Sequence, residues 1–366
     1  MINYIKKYLK YKLKYYNLKN QFGGVKKKYL IVFRKRHPTL SLFRDLEINS
    51  LLQMDSEDYN FIFMNDLFAI ITINNINFLR RSLFVDSIIE ILSESDTFVD
   101  LIIPSFSGTY SFNIDRSVEK ITMSDLITKS EYDTTKIERR SPDRYFELYY
   151  INSQYLFGYK IEECFGRKIV ADTSLSKRCF LQNTAMPPDV SLLMVNIAKV
   201  KPNDLVLDPC CGSCSILITA EKIDAIPFGS DFDWRPFHSE TNSKKGCDPK
   251  AMLRDDFRST PMLLRSDLFK FPLRDGKFDA IITDPPYGIR KSSPTDNIFN
   301  ELIERSKKLL RRGGRLVFWY PTTTNNISEI SNFKSIENPE ILIISCEIYE
   351  QIHMNLFRFL IVIQKL

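Results

Sequence analysis

The clearest pattern along the chain is a series of short apolar runs in its C-terminal part, each ending at a polar or proline-containing turn. Five runs are mostly separated by segments long enough for a helix: Leu205–Pro209, Ile226–Phe232, Met262–Leu268, Phe278–Pro286 and Arg315–Pro321. Strands alternating with helices are typical of a parallel α/β sheet. Two further runs, Ile341–Tyr349 and Phe357–Gln364, are too close for a crossover helix and should pair antiparallel. The pattern predicts a seven-stranded α/β sheet with a terminal antiparallel hairpin.

The N-terminal part shows shorter strands and helices without a Gly-rich loop, which favours an α+β region. The predicted elements are a strand at Tyr29–Phe33, a helix at Leu40–Leu52, strands at Phe61–Phe63 and Leu67–Ile73, a helix near Ser82–Leu92, and a further strand and helix series from Asp100 to about Ile127. Before them, Tyr4, Tyr8, Tyr11, Tyr15 and Leu18 lie on one helical face. We therefore predict a basic aromatic extension at 1–28, an α+β region at 29–160 and an α/β domain at 161–366.

Charge changes this picture at one end of the chain. Residues 1–40 carry 12 of the 51 Lys and Arg and none of the 45 Asp and Glu, so the remaining 326 residues hold 39 bases against 45 acids. The formal charge of +6 therefore belongs to the extension. A solvated helix or a contact to nucleic acid or another anionic surface would explain it.

Cysteine and histidine usage limits the chemistry. Seven cysteines in an irregular set predict reduced thiols and a cytoplasmic protein, and three histidines disfavour multi-His metal sites and His-dependent triads. No stretch has about 18 uninterrupted apolar residues, so we expect no membrane span.

Candidate chemistry gathers where the predicted strands end. Asp208, Asp231, Asp267 and Asp284 each follow one of four consecutive strands, at the sheet edge where open α/β proteins bind ligands. Each alone could be a helix cap or a turn residue. The small-residue turn Cys210–Ser215 after Asp208 would let backbone N–H groups approach a ligand, and Asp231 has the spacing of a ribose-binding carboxylate.

The run Asp284-Pro-Pro-Tyr-Gly288 indicates the kind of ligand. Pro285 and Pro286 remove backbone donors and leave carbonyl acceptors, while Asp284 precedes them and Tyr287 adds an aromatic surface. Such a group suits a planar amine, whose hydrogens are accepted while its ring stacks. A Pro-rich turn without function is the alternative.

These motifs resemble a known family. The run Asp-Pro-Pro-Tyr after such a first loop resembles S-adenosylmethionine-dependent, Rossmann-like methyltransferases of exocyclic amines. A wider match resembles the eukaryotic tRNA guanosine-10 N2-methyltransferases, which contain a THUMP region. It includes Phe165-Gly-Arg167, the run from Lys177 to Met186, Ser191-Leu-Leu-Met194 with Asn196, Lys201-Pro202, Leu207-Asp-Pro209, Gly229-Ser-Asp231 and Thr283 to Arg290.

The resemblance implies roles for individual residues. Asp208 with Cys210 and Gly212 would hold the methionine part of S-adenosylmethionine, and Asp231 its ribose. Asp267 and Leu268 would contact adenine, and Asn183 and Thr184 would close over the amino-acid end. Asp284, Pro285, Pro286 and Tyr287 would bind the flipped guanine, with Arg290 and Lys291 at the mouth of the site. The family also implies tRNA binding by the THUMP region and a small zinc-binding activator subunit as heterodimer partner.

Other basic groups are candidate RNA contacts, although solvated surface charge explains each one equally well. They are Arg80-Arg81, Arg139-Arg140 with Arg144, and Lys307-Lys308 with Arg311-Arg312.

The first loop departs from the family pattern Asp-Pro-Phe-x-Gly-Thr-Gly, because Cys210 replaces Phe and Cys214 replaces the second Gly. A side chain at a positive-φ position would weaken cofactor binding. A zinc site at Cys210, Cys211, Cys214 and Cys247 is the competing hypothesis, although we expect no metal because the flanks of this loop fit a cofactor site. Two other functions stay open: methylation of another amine, such as adenine N6 or a glutamine amide, and non-catalytic tRNA binding.

Overall fold

The computed structural model describes residues 26–34, 40–56, 58–161, 163–178, 181, 185–233, 256–258, 261–267, 273–286, 296–322, 340–345, 349–353 and 356–366. The chain divides into two compact units. The first comprises residues 1–35, 55–80 and 85–164, and the second comprises residues 36–54, 81–84 and 165–366. The domain boundaries expected at 28/29 and 160/161 stay predictions.

In chain order the helices and strands are β1 (Lys27–Phe33), α1 (Arg44–Asp55), β2 (Asn60–Met64), β3 (Phe68–Ile73), β4 (Val85–Ser95), β5 (Tyr110–Ile114), α2 (Met123–Ser130), β6 (Arg144–Ile151), β7 (Gln154–Lys160), α3 (Gly166–Asp172), α4 (Pro188–Ile197), β8 (Leu205–Asp208), α5 (Ser215–Glu221), β9 (Ile226–Asp231), β10 (Met262–Arg265), β11 (Phe278–Thr283), α6 (Asp296–Leu309), β12 (Leu310–Thr322), β13 (Ile341–Ser345), β14 (Tyr349–His353) and β15 (Leu356–Lys365). Among the described residues, no helix has the length and apolar character needed to cross a membrane.

The first unit contains a seven-stranded mixed sheet in the order β2-β3-β1-β4-β7-β6-β5. All its pairs are antiparallel except β5 with β6. The helix predicted near Ser82–Leu92 is wrong, because this segment enters β4, a strand hydrogen-bonded on both sides, by β1 and β7. Its apolar residues fit either a helix or a strand period, and two neighbouring strands decide between them.

The sheet of the second unit confirms the predicted α/β pattern. Its order is β10-β9-β8-β11-β12-β15-β13, with β14 also paired to β15. The strands β8 to β12 run parallel to one another. The chain runs outward in one direction from β8 to β10 and then returns to β11 on the other side of β8. The carboxyl ends of β8 and β11 therefore flank a switch point, where open α/β sheets bind ligands.

The terminal hairpin forms as predicted, with one difference. Its outer strand is divided into β13 and β14, which both pair antiparallel with β15, at its C-terminal and N-terminal ends respectively. Strand β15 in turn pairs antiparallel with β12 along eight residue pairs.

Alternate side chains of the central strands enter two apolar cores, one on each face of the sheet. Val206 and Ile282 point into the first, and Leu207 and Ile281 into the second. Helices α4 and α5 cover the first face and α6 the second. Trp319 of β12 lies in the first core, where the Phe43 ring meets its ring edge-on at 5.6 Å.

Helix α1 is held in the second unit by a buried carboxylate. Glu47 is fully buried, and it accepts hydrogen bonds from Ser82 Oγ at 2.5 Å, the Leu83 N–H at 3.0 Å and Asn196 Nδ2 at 2.7 Å. Burial raises the pKa of this carboxyl group, and the three donors oppose that rise. The network joins α1, the segment 81–84 and α4, three parts of the chain far apart in sequence.

Candidate active site

The centre of the candidate site is a hydrogen bond across the switch point. Thr283 Oγ1, at the end of β11, donates to Asp208 Oδ1, at the end of β8, over 2.8 Å. The Cys210 N–H donates to the same oxygen at 3.0 Å. Asp208 is 2% exposed, and its burial raises its pKa to about 7, to which the charges of Asp231 and Asp284 contribute. This carboxyl group therefore changes its ionisation near neutral pH.

Asp231 ties the first loop to the end of β9. Its Oδ2 accepts the Gly212 N–H at 2.8 Å, and its Oδ1 accepts the Asp233 N–H at 2.8 Å. Burial raises the pKa of Asp231, and these two backbone donors oppose the rise. Each carboxylate oxygen can accept a second hydrogen bond, so the side chain can hold the loop and still accept from a ligand hydroxyl group.

Gly229 allows β9 to approach the loop closely. A Cβ at this position would lie 3.0 Å from Cys211 Sγ and 2.7 Å from a methyl group of Leu217. A larger residue would push the Leu263 and Leu217 side chains aside and press against Cys211 Sγ. Glycine at 229 therefore suits the close packing of β9 against the first loop.

The substituted Gly position of the loop has the left-handed backbone that the family pattern suggests. Cys214 has φ 62° and ψ 24°, and its side chain is fully buried where α5 begins. A non-Gly residue in this conformation costs roughly 1–2 kcal/mol. The chain thus keeps the loop's geometry at the expense of strain.

Arg178 braces the same loop from the segment before β8. It donates to Ser215 Oγ at 2.8 Å and to the Ser213 carbonyl oxygen, and it pairs with Asp256 at 3.5 Å. Burial lowers its pKa, which the charge of Asp256 opposes. Arg178 belongs to the Lys177 to Met186 run, but the sequence pattern did not predict that its side chain would hydrogen-bond to the first loop.

The proline motif follows directly from β11. Asp284 is partly exposed, at 27% of its side chain, and Arg358 Nη1 lies 3.6 Å from its Oδ2. Pro285 is buried and Pro286 is exposed. Because Asp284 is adjacent to Thr283, the Asp284-Pro-Pro motif and the first loop meet at the Asp208 hydrogen bond.

Of the remaining expected site residues, the structure describes only Asp267. Asp267 is half-buried two residues after β10, whose last residue Arg265 pairs with Asp231. Asn183, Thr184, Leu268, Tyr287, Arg290 and Lys291 lie outside the described residues, and their roles stay predictions.

One candidate RNA contact is wrong: Arg81 is only 2% exposed and donates to Met54 Sδ, so it does not face solvent.

The cysteines of the first loop are thiols. Cys210, Cys211 and Cys214 are free, and burial raises the pKa of Cys210. Within the part of the chain that the structure describes, no three His, Cys, Asp or Glu residues are grouped to hold a metal. Cys247, the fourth residue of the competing zinc hypothesis, lies outside that part.

Comparisons with known proteins agree with the motifs. Residues 184–308 match the family described as N-6 DNA Methylase. The tRNA (guanine(10)-N(2))-methyltransferase TRMT11 of Bos taurus is 32% identical over 201 residues, covering 44% of this chain and 44% of that protein. Its Dictyostelium discoideum counterpart is 30% identical over 199 residues, covering 46% and 38%. Among solved structures, TrmN from Thermus thermophilus has a TM-score of 0.43 and 15% identity, covering 93% of this chain and all of that one.

The chain thus spans less than half the length of the curated relatives it matches. Over slightly less than half of its own length, the predicted resemblance is confirmed: there the chain is similar to the tRNA guanine(10)-N2-methyltransferases.

Proposed function

We propose that this protein transfers a methyl group from S-adenosylmethionine to the exocyclic N2 of a guanosine in tRNA, at position 10. The observation that carries the proposal is the Thr283–Asp208 hydrogen bond. This bond places the candidate cofactor loop next to the candidate amine-binding motif. Methyl transfer requires that arrangement, because the methyl donor and the acceptor amine must be in contact.

The described residues fit S-adenosylmethionine. Its sulfonium and ammonium groups are cations, and Asp231 and Asp284 supply acidic side chains at the carboxyl ends of β9 and β11, on either side of buried Asp208. Asp231 retains acceptor capacity for ribose hydroxyl groups, and the neighbouring Phe232 exposes 69% of its surface, which offers an aromatic face for adenine. When bound, the cofactor supplies an electrophilic methyl group.

The protein's contribution to catalysis is orientation of the amine. The guanine N2 lone pair is delocalised into the ring, which makes the amine a poor nucleophile. Asp284 and the Pro285 carbonyl oxygen accept hydrogen bonds from its two N–H groups, raise the electron density on nitrogen and fix its direction of attack. As the nitrogen gains the methyl group, the Asp284 carboxylate takes the proton that the nitrogen releases. Such positioning supplies much of a methyltransferase's rate. The base must leave the helical stack to reach Asp284, and Tyr287 offers a replacement stacking surface.

We assign tRNA binding to the first unit and propose that it contains the THUMP region. Exposed Arg139 and Arg140 are available there for phosphate contacts.

We also propose a cytoplasmic location, where reduced thiols such as Cys210 and Cys211 persist.

The activator subunit would pair with strand β10, the outermost strand of the second sheet. Met262 and Leu264 expose 56% and 39% of their surfaces there. An edge strand with exposed apolar side chains is a template for pairing with another chain. This arrangement supports a heterodimer whose interface lies at the sheet edge opposite β13.

The test is modification of tRNA transcripts by the full chain, with and without a zinc-binding activator, followed by mass analysis of nucleosides. We expect N2-methylguanosine in transcripts that carry guanosine at position 10, and none when that position is adenosine. Asp284→Ala should abolish the product while S-adenosylmethionine still binds, because alanine accepts no hydrogen bond. Wild-type rates from the Asp284→Ala protein would contradict the assigned mechanism.

The match to N-6 DNA Methylase favours adenine N6 as a second candidate target. Methyladenine in DNA or RNA, with no methylguanosine, would establish that alternative. Calorimetry tests the non-catalytic alternative separately: no heat on addition of S-adenosylmethionine, with the activator present, would favour a tRNA-binding protein without activity.

A further inference from the structure

Arg358 lies beside the candidate site although it belongs to no motif. It stands on β15, which neighbours β12, and β12 neighbours β11, the strand before Asp284. In the register of β12 and β15, Arg358 pairs with Pro321, and Leu360 pairs with Trp319. Arg358 and Trp319 therefore project from the same face of the sheet, on a diagonal.

The Arg358 side chain spans β12 to reach Asp284. Its guanidinium carbon lies 4.1 Å from the centre of the Trp319 ring, and its Nη1 lies 3.6 Å from Asp284 Oδ2. Trp319 is fully buried, and the edge-on Phe43 ring holds it in place. Stacking on a fixed ring defines the plane of the guanidinium group, which a lysine ammonium group could not reproduce.

The position of this cation matters because the site is otherwise acidic. Asp231 and Asp284 both act on Asp208 as like charges. Like charges disfavour ionisation of every carboxyl group in such a cluster, whereas an adjacent cation favours it. The Arg358 side chain is 10% exposed, so its charge is poorly screened by solvent.

We propose that Arg358 is a positioning residue for the reaction: from its place over the Trp319 ring, its charge holds the Asp284 carboxylate in the direction of the substrate amine. The inference rests on the proposed function, because it assigns Arg358 a role through the carboxylate that accepts the amine hydrogens. Trp319 is the platform that holds the guanidinium group in place.

The test compares Arg358→Lys, Arg358→Gln and Arg358→Ala with wild type, in the full chain with its activator, by kcat and by KM for tRNA and S-adenosylmethionine. We expect Arg358→Gln to lower kcat about 100-fold, because misplaced reacting groups cost rates of this order, and both KM values to stay within about threefold. Arg358→Lys should recover only part of the loss, because it keeps the charge without the stacked plane.

Chemical rescue separates positioning from a structural role. Millimolar guanidinium added to Arg358→Ala should restore kcat in a saturable manner, and urea, which is similar in shape but neutral, should not. Arg305→Ala is the control, because Arg305 donates to Glu301 at 2.8 Å on α6, which packs on the other face of the sheet. It should lose no kcat and gain none with guanidinium.

The outcomes distinguish this role from the proposed function. An active wild type with unchanged kcat in Arg358→Gln, or an Arg358→Ala protein that folds but responds equally to guanidinium and urea, overturns the positioning role alone. If Arg358→Ala fails to fold, the same decision is made from the folded Arg358→Lys protein, for which wild-type kcat overturns the role. A wild type that methylates no guanosine amine overturns the proposed function and this role with it.

Discussion

Cys214 shows how one residue can keep a loop's geometry at an energetic cost. Its positive φ suits glycine, but its buried side chain also fills core space. Simple replacement by glycine would mix these two effects. A comparison of two replacements separates them, because alanine and glycine both remove the sulfur atom and only glycine relieves the backbone.

We predict that the Cys214→Gly protein is more stable than the Cys214→Ala protein by about 1 kcal/mol, since relief of a left-handed conformation outweighs the entropy that glycine adds to the unfolded chain. Urea unfolding measures the difference. At an ordinary helical position the order would reverse, so a more stable alanine variant would contradict the strained geometry.

Asp208 predicts a dependence of stability on pH. Its folded pKa of about 7 lies above the value of about 4 for an unfolded chain. Between these values the folded protein retains a proton that the unfolded chain has released, so stability falls as the pH rises through that range and levels off above about 7. The loss amounts to a few kcal/mol.

Asp208→Asn should remove this component, because asparagine keeps an acceptor for Thr283 and Cys210 but does not titrate. The quantity to measure is the difference in unfolding free energy between wild type and variant from pH 5 to pH 8. Subtraction is needed because burial also raises the pKa of Glu47, which acts in the same direction. A difference that does not vary with pH would be inconsistent with a raised pKa at Asp208.

Local sequence patterns identify some residues of the candidate site and miss others. Asp284 and Asp208 can be identified from the sequence, because each belongs to a short continuous motif: Asp284 begins the Asp-Pro-Pro run, and Asp208 precedes the small-residue turn Cys210–Ser215. Arg358 has no such signal, since its proximity to Asp284 depends on strand order and on the register of β12 with β15. Contacts made across strands are created by the fold and cannot be inferred from local spacing.

At the scale of elements, the alternation of strands with helices predicted the second sheet because each parallel strand needs a crossover. The same reasoning failed at β4, whose apolar residues also fit a helical period. Helix α1 was predicted as a helix, but nothing in its sequence indicated that it would join the second unit. Its partners Ser82 and Asn196 are distant in sequence, and only the folded chain brings them to Glu47.

We predict that Glu47→Ala destabilises the second unit by about 3 kcal/mol or more, because the donors of Ser82, Leu83 and Asn196 would lose a buried acceptor. Glu47→Gln should cost less, since one carbonyl oxygen remains. Chemical denaturation monitored by tryptophan fluorescence reports on this unit, because both tryptophans of the chain, Trp234 and Trp319, follow residue 164 in the sequence. Equal, small losses in both variants would show that the network contributes little.

The edge strand β10 gives a prediction about the activator. Leu264→Asp should weaken binding of the proposed activator at least tenfold, because it places a charge on the proposed pairing edge. Ile62→Asp is the control, since Ile62 is 50% exposed on β2 of the other sheet. Copurification and titration calorimetry measure the affinity. Equal affinities for the two variants would exclude β10 as the binding edge.

The distribution of net charge along the whole chain predicts which segment would bind the proposed tRNA substrate. Residues 2–24 contain six lysines and no acidic residue, whereas the chain after residue 40 is net acidic. Deleting 2–24 should weaken tRNA affinity and flatten its dependence on salt, since fewer counterions are released on binding. S-adenosylmethionine binding should not change. An unchanged salt slope would return this segment to the hypothesis of a solvated helix.

Helix α1 finally sets a constraint on biosynthesis. The hydrogen bond from Arg315 to Ser50 joins residues 265 positions apart, and Phe43 meets Trp319 in the same core. At ribosomal rates of about 5–20 residues per second, α1 leaves the ribosome tens of seconds before the strand it packs against. During that interval the part of α1 that packs toward β12 lacks this partner, which makes the nascent chain a candidate client for chaperones. A slow step in synthesis between residues 55 and 310 would lengthen that exposure.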